Sequence, residues 1–335
     1  MALRESRPTL YDVARLACVS HQTVSNVLNN PDRVRPGTQQ RVMTAIAELG
    51  FETSAAARSL AAGQSNVIGF QAPRVRSGAA GAFLDHFLVA LVEAGRGHSR
   101  QLLVFTEEGD GTSEHERLYR AGMVDSVIIA DTALHDPRIP ALQRAGVPFV
   151  SFGRTTTTVP YAWVDVDNRA GMIASLRHLA DRGHRWVAYL DAAADTYFGQ
   201  ERLDGYREGV AAFGLEREAA LVVTANEDLA DTRQTIAKML DLAVPPTAVV
   251  AGSDFLAATV IDVARARGSL IGPSRLAVVG FDDTPLASLI EPSLTTIRQP
   301  LDMIAQELVA IASGMSDGPP THRLIEPTLV PRLSS

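Results

Sequence analysis

Residues 9–29 read TLYDVARLACVSHQTVSNVLN. Thr9 stands three residues before Asp12, the spacing of a capping box. Val13, Ala14, Leu16 and Ala17 predict the buried stripe of a first short helix. Ala17-Cys18-Val19 makes a tight turn, and Ser20 is a good N-cap for a second helix. Val24, Val27 and Leu28 then face inward at helical spacing, which leaves His21, Gln22, Ser25 and Asn26 on the outer face. This is the layout of a helix-turn-helix whose second helix enters a DNA major groove by its N-terminal end. Two amphipathic helices around a short turn also occur where no DNA is bound, so periodicity alone leaves both readings open.

The chain continues through the turn-rich Asn30-Pro31-Asp32 to a third helix from about Pro36, where proline is tolerated at the first position. Val42, Ile46 and Leu49 recur on one face, Gly50 suits the C′ position and Phe51 packs behind it. About 50 residues in three helices bury only a marginal core. Ser54 to Gly63 is alanine-rich and helix-prone, yet a ten-residue helix is marginal by itself in water. From Asn66 the pattern changes. Apolar runs at 67–70, 102–105, 126–129 and 148–152 alternate with helical stretches. A second, similar series begins at Trp163 and continues with runs at 187–190, 220–223, 248–251 and 276–279. Such alternation predicts parallel sheets with helices on both faces, in two subdomains flanking a cleft. Ligands in such sheets bind beyond the carboxyl ends of the strands.

The chain has 335 residues and a formal charge of −7, but the charge is uneven. Residues 1–62 hold seven arginines against five carboxylates, and everything after them is acidic on balance. A mildly basic head on an acidic body suits local phosphate contact rather than general coating of nucleic acid. Cys18 is the only cysteine, which rules out an intrachain disulfide and a cysteine-rich metal site. No apolar run is long enough to span a bilayer, and the first twelve residues lack the apolar core of a signal peptide. A cytoplasmic protein is expected. The phosphate-loop, dinucleotide and zinc-protease motifs are absent, and Asp282-Asp283 are adjacent rather than paired across a cleft. The expectation is no enzyme, no cofactor, no metal and no catalytic residue.

The motif letters resemble the LacI/GalR family of bacterial repressors over essentially the whole chain. In the head the matching residues are Thr9–Ala14, Ala17, Val19-Ser20, Gln22–Ser25, Val27 and Asn29. In the linker they are chiefly Ala57–Leu60. In the body they are Asp167–Gly171, Leu179 through Gly183-His184-Arg185, Arg202–Tyr206, Val279–Thr284 and Pro292–Gln299. The resemblance implies an α/β fold. An all-α helix-turn-helix headpiece (1–53) and a hinge helix (54–63) precede a body of the type I periplasmic-binding-protein kind, with doubly wound sheets (64–335). The expected subdomains are about 64–161 with 294–325, and about 162–293 with 326–335.

The same resemblance implies site residues. His21 and Gln22 would read base edges, with Asn26 a third candidate. Thr9, Leu10, Ser20, Thr23, Ser25, Asn29 and Arg58 would contact the DNA around them, and Leu60 would wedge into a minor-groove base step. Arg202 and Asp282 would bind a polyhydroxyl effector, a sugar, with Ser253, Asp85, Arg154 and Gln299 as further cleft contacts. A structural Arg202–Asp282 ion pair is the competing reading. Two departures stand out. Cys18 occupies the turn position where the family usually has glycine, and Gly37 replaces a polar residue early in helix three. The expected protein is a homodimeric repressor on a pseudo-palindromic operator. Pro331–Ser335 carries no leucine heptads, so no tetramerising tail is expected. A transporter-type sugar-binding protein shares the body fold but has no use for residues 1–62.

Overall fold

Thr9 does what its spacing predicts. Its backbone N–H donates to Asp12 Oδ2 at 2.9 Å, and Asp12 N–H donates back to Thr9 Oγ1 at 3.4 Å, which closes a capping box on α1 (Leu10–Leu16). The computed structural model describes residues 8–29, 31–51, 64–72, 79–107, 111–193, 195–225, 228–314 and 319–335. The chain divides into two units, Met1–Asn66 and Val67–Ser335.

In the first unit, α1, α2 (His21–Asn29) and α3 (Pro36–Leu49) pack around Val13, Ala14, Ala17, Val24, Val27, Val42 and Ala45. Leu10, Leu28, Ile46, Leu49 and Phe51 close the edges of this core. Leu16 departs from expectation and is 43% exposed. At 100° per residue Val13, Ala17 and Ala14 span about 100° of the helix, and Leu16 lies about 60° outside the Val13 edge of that span, at the rim of the buried face. Gly50 ends α3 at φ 59°, and Phe51 N–H donates to Ile46 O at 3.0 Å. Cys18 takes the left-handed conformation at φ 52°, a cost of about 1–2 kcal/mol that glycine would not incur. The hinge expected at 54–63 lies outside the described residues.

The second unit holds two six-stranded sheets. In chain order its elements are β1 (Val67–Gln71), α4 (Ala79–Gly97), β2 (Gln101–Phe105), α5 (Ser113–Arg120), β3 (Ser126–Ile129), α6 (Arg138–Ala145), β4 (Phe149–Phe152) and β5 (Ala162–Val166). A second series follows: α7 (Asn168–Asp181), β6 (Val187–Asp191), α8 (Tyr197–Ala212), β7 (Val222–Thr224), α9 (Leu229–Leu240), β8 (Ala248–Ala251), α10 (Asp254–Ala266), β9 (Ala277–Asp282), α11 (Pro285–Leu289) and β10 (Thr295–Arg298). Then come α12 (Leu301–Ser313), β11 (His322–Ile325) and β12 (Thr328–Val330). The strand orders are β2-β1-β3-β4-β5-β11 and β7-β6-β8-β9-β10-β12, so the two lobes repeat one topology. Among the described residues all strand pairings are parallel except β12 on β10.

Strand side chains alternate faces, and the cores follow that alternation. In the second lobe Ala188, Leu190, Val249, Ala251 and Val278 pack under α9 and α10. Val187, Tyr189, Ala248, Val250 and Val279 pack under α7 and α8. The first lobe divides in the same way between α4 with α12 and α5 with α6.

The lobe boundaries differ from the expected ones. Ala162–Val166 pairs with β4 and β11 in the first sheet, so the first crossing falls at Asp167, whose Oδ1 caps α7 through Ala170 N–H at 2.8 Å. Thr295–Arg298 pairs with β9 in the second sheet, so the return crossing falls at Gln299-Pro300 rather than at 294. Proline cannot donate to a ladder, which suits a strand that stops there. β11 then joins the first sheet and β12 the second. Among the described residues no helix is long and apolar enough to cross a membrane.

Candidate DNA-reading head and effector site

The first turn of α2 contains no acidic residue, so its unpaired N–H groups and positive dipole end meet no carboxylate of their own. Ser20 caps it, accepting Thr23 N–H at 3.1 Å and meeting Thr23 Oγ1 at 2.9 Å. His21 and Gln22 are exposed at this end. Gln22 Nε2 lies 3.5 Å from Asn26 Oδ1, which puts two of the three base-reading candidates on one strip of helix. The Tyr11 ring, 69% exposed, leans on His21 with centroids 5.3 Å apart. Thr9 is exposed, Thr23 and Ser25 are half-buried, and Leu10 packs against the head core. Ser20 and Thr23 are thus engaged with each other and Leu10 with the core. The side chain of Asn29, and Arg58 and Leu60 in the hinge, lie outside the described residues.

In the body the chemistry gathers at the carboxyl ends of β6, β8 and β9. The strand order reverses between β6 and β8, the usual place for a ligand in an open parallel sheet. Arg202 enters there from α8 and is 6% exposed. Its Nε donates to Asn168 Oδ1 at 3.0 Å and its Nη1 to Gly252 O at 2.7 Å. The guanidinium lies 4.0 Å from the ring centre of Phe281 and 4.9 Å from that of Phe198. Asp282 ends β9 at φ 111°, and Asp283 follows at φ 55°. Two consecutive non-glycine residues in left-handed territory store strain at this corner. Gln299 Nε2 donates to Asp282 Oδ1 at 2.7 Å. Burial pushes the Asp282 carboxyl up to about 7. The neighbouring Asp254 and Asp191 add to that rise, while Arg202 and Gln299 oppose it. Asp283 is taken by Arg298 and Arg332, each at 2.6 Å.

Two buried carboxylates that sequence reasoning did not single out frame this site. Asp191 accepts Tyr189 Oη at 2.8 Å and the N–H groups of Ala192 and Ala193 at 2.7 and 3.2 Å. Asp254 accepts Thr284 N–H, Thr284 Oγ1 and Thr296 Oγ1 at 2.6, 2.9 and 2.5 Å, and burial lifts it to about 6. Asn168 belongs to a motif noted in the sequence, but its contact with Arg202 spans 34 residues of chain, and no local pattern signals it.

The remaining candidates scatter. Ser253 caps α10, accepting Leu256 N–H at 3.2 Å. Arg154 donates to Asp165 at 2.7 Å and to Glu201 at 3.3 Å. Asp282 and Gln299 line a cavity of about 530 Å³ between α4, the ends of β9 and β10, and the start of α12. α4 contributes Phe83, His86, Val89, Ala90 and Glu93 to that cavity. Asp85 points off this face and is exposed.

A three-helix DNA-reading head joined to a two-lobed binding body defines a ligand-responsive regulator class. Comparison with known proteins agrees. Residues 9–54 match the bacterial regulatory proteins of the lacI family, and residues 176–335 match a periplasmic binding protein-like domain. The HTH-type transcriptional regulator CelR of Thermobifida fusca is 34% identical, with 95% of each chain covered. The ribose operon repressor of Escherichia coli K12 is 30% identical over 96% of this chain and 94% of its own. Among solved structures, a CelR–cellobiose complex matches with a TM-score of 0.72 at 30% identity, covering 98% of this chain and all of that one. The lac repressor dimer bound to operator and the anti-inducer ONPF matches with a TM-score of 0.83 at 25% identity, covering 98% and 99%. The chain belongs to the lacI family of bacterial regulatory proteins. It is a DNA-binding transcriptional regulator and not a transport protein.

Proposed function

We propose that this regulator is a cytoplasmic homodimeric repressor whose grip on a pseudo-palindromic operator is set by a small sugar bound between the lobes. The observation that supports it most is Arg202 at the β6/β8 switch point with Asp282 beside it. Nε and Nη1 of Arg202 are committed to the protein, so Nη2 is the donor proposed for a ligand oxygen and Asp282 the acceptor proposed for sugar hydroxyls. The cellobiose complex of a relative makes cellobiose the first probe. Residues 1–53 serve as headpiece and 54–63 as hinge, with Leu60 as the minor-groove wedge. No catalytic role is proposed. Because effector and operator act on one equilibrium, each changes the affinity of the other by the same factor. The test is operator binding at fixed salt with and without a panel of cellobiose, other oligosaccharides and monosaccharides. A chain whose operator affinity ignores all of them is not a sugar sensor.

Two results follow from the site. His21→Ala and Gln22→Ala each cost about 1–3 kcal/mol at particular half-site positions and relax base preference there. Binding to a randomised-operator library reads this out, and an equal loss on every sequence would instead make them backbone contacts. Sugar binding is also pH-dependent. Hydroxyl donors need the Asp282 carboxylate, and a group titrating at about 7 is mostly protonated at pH 6. Sugar affinity therefore rises about tenfold from pH 6 to pH 8 and then levels off. Asp282→Asn flattens that profile, and a flat wild-type titration contradicts the role.

A further inference from the structure

We propose that Glu201 and Arg154 form an interlobe clasp, and that Glu201 is a positioning residue that ties closure of the lobes to the helix carrying Arg202. Arg154 sits between β4 and β5 of the first lobe, and Asp165 of β5, itself 3% exposed, holds its Nε at 2.7 Å. From that anchor Nη2 reaches Glu201 Oε2 on α8 of the second lobe at 3.3 Å, and the guanidinium lies 4.7 Å from the centre of the Tyr197 ring, also on α8.

Tyr197 and Glu201 are four residues apart and share one face of α8. Phe198 and Arg202 repeat the pairing one position on, about 100° around the helix. One face thus grips the other lobe while the next presents the sugar-binding guanidinium. A rigid helix cannot move one without the other. Its N-terminus is held as well. Thr196 caps α8 through Gly199 N–H at 3.0 Å, and a Cβ on Gly199 would lie 1.8 Å from Ala193 O, so this first turn has no slack.

A second contact between the lobes lies next to the clasp. Leu134 N–H of the first lobe donates to Asp195 O of the second at 2.8 Å, and Ala133 and Thr196 form an antiparallel bridge. The Leu134 carbonyl is held in its own lobe by Thr156 N–H at 2.9 Å and Thr155 Oγ1 at 2.7 Å. The Leu134 amide therefore exchanges with solvent when the lobes part and reports opening directly. The clasp side chains are 18% and 22% exposed. That is buried enough for the pair to matter and open enough for salt to weaken it.

The experiment is amide hydrogen exchange on the full chain, with neither sugar nor DNA, so its outcome is independent of the sensor reading. Glu201→Gln, which keeps the side-chain shape, is expected to speed exchange at Leu134 about tenfold. Glu201→Arg, which places like charges together, speeds it further. The amides of Val127 and Gly252, bonded within their own lobes to Pro148 O and Leu190 O, keep their rates. Raising salt from about 0.05 to about 1 M accelerates Leu134 in the wild type and leaves Glu201→Gln unchanged. An unchanged Leu134 rate in Glu201→Gln overturns the clasp. So does an equal acceleration at all three amides, which would mark a general loss of stability.

Discussion

Arg202→Ala is expected to abolish the response to sugar, weakening sugar affinity by at least about 100-fold while operator binding without sugar stays within about threefold. The large first effect comes from three losses at one point. The ligand loses its charged donor. The Gly252 carbonyl and Asn168 Oδ1 lose their partners, at 2.7 and 3.0 Å in the intact protein. Asp282 loses a positive charge that pulls its titration down. With that charge gone, burial and the Asp254 and Asp191 carboxylates hold Asp282 protonated at neutral pH, so the second sugar contact fails with the first. Removing a guanidinium packed on Phe281 and Phe198 also destabilises the second lobe, by about 3 kcal/mol. The head should be spared, because it is a separate unit with its own core. Arg202→Lys should not rescue, since an ammonium cannot span Asn168 and Gly252 and still face a ligand. Calorimetric titration with the sugar the panel identifies, beside operator anisotropy on the same preparation, separates these effects. Retained sugar affinity in a folded Arg202→Ala protein would remove Arg202 from the site.

How much of this the sequence revealed depended on whether the cause was local. The Thr9 capping box, the Ser20 cap and the Gly50 stop all lie within a few residues of their partners, and the structure shows each as read. The nine apolar runs read in the sequence each overlap a strand, because buried parallel strands are short apolar runs. Thr295–Arg298, His322–Ile325 and Thr328–Val330, with no more than two apolar residues each, were not read as strands. Which lobe a strand joins was not legible. Ala162–Val166 (Ala-Trp-Val-Asp-Val) shares the apolar character of the strands before and after it, while Thr295–Arg298 (Thr-Thr-Ile-Arg) has a single apolar residue, and only the strand each pairs with decides its sheet. Side-chain partners across the fold were the least legible. Arg154 reads as a cleft residue, yet its charge is taken by Asp165 and Glu201, 11 and 47 residues away. Arg202 and Asp282 were identified through the family motifs. What holds them in place was invisible, because Asn168, Gly252, Asp191 and Asp254 converge only when β6, β8 and β9 lie side by side.

Gly252→Ala tests that convergence with a residue that has no side chain to offer a ligand. A Cβ there would lie 2.2 Å from Asp191 Cγ and 2.3 and 2.4 Å from its two oxygens. The carboxylate cannot retreat. Tyr189 Oη holds one oxygen and the Ala192 and Ala193 amides hold the other, in a side chain that is 7% exposed. The backbone must therefore give way. Gly252 N–H is bonded to Leu190 O at 2.8 Å and its carbonyl to Arg202, so any shift loosens the β6/β8 junction and the anchor of the guanidinium together. Gly252→Ala is expected to cost about 3 kcal/mol of stability in denaturant unfolding. Sugar affinity in the folded fraction should fall about tenfold, since one charged hydrogen bond is lost. Gly37→Ala is the matching control. Nothing lies within 4 Å of its Cβ position and its φ is not positive, so stability should hold or rise. If Gly252→Ala lowers stability by less than about 1 kcal/mol and leaves sugar affinity intact, the anchoring of Arg202 through the strand junction is wrong. If it unfolds the lobe outright, Asp191→Ala in the same background should restore folding by removing the obstructing carboxylate.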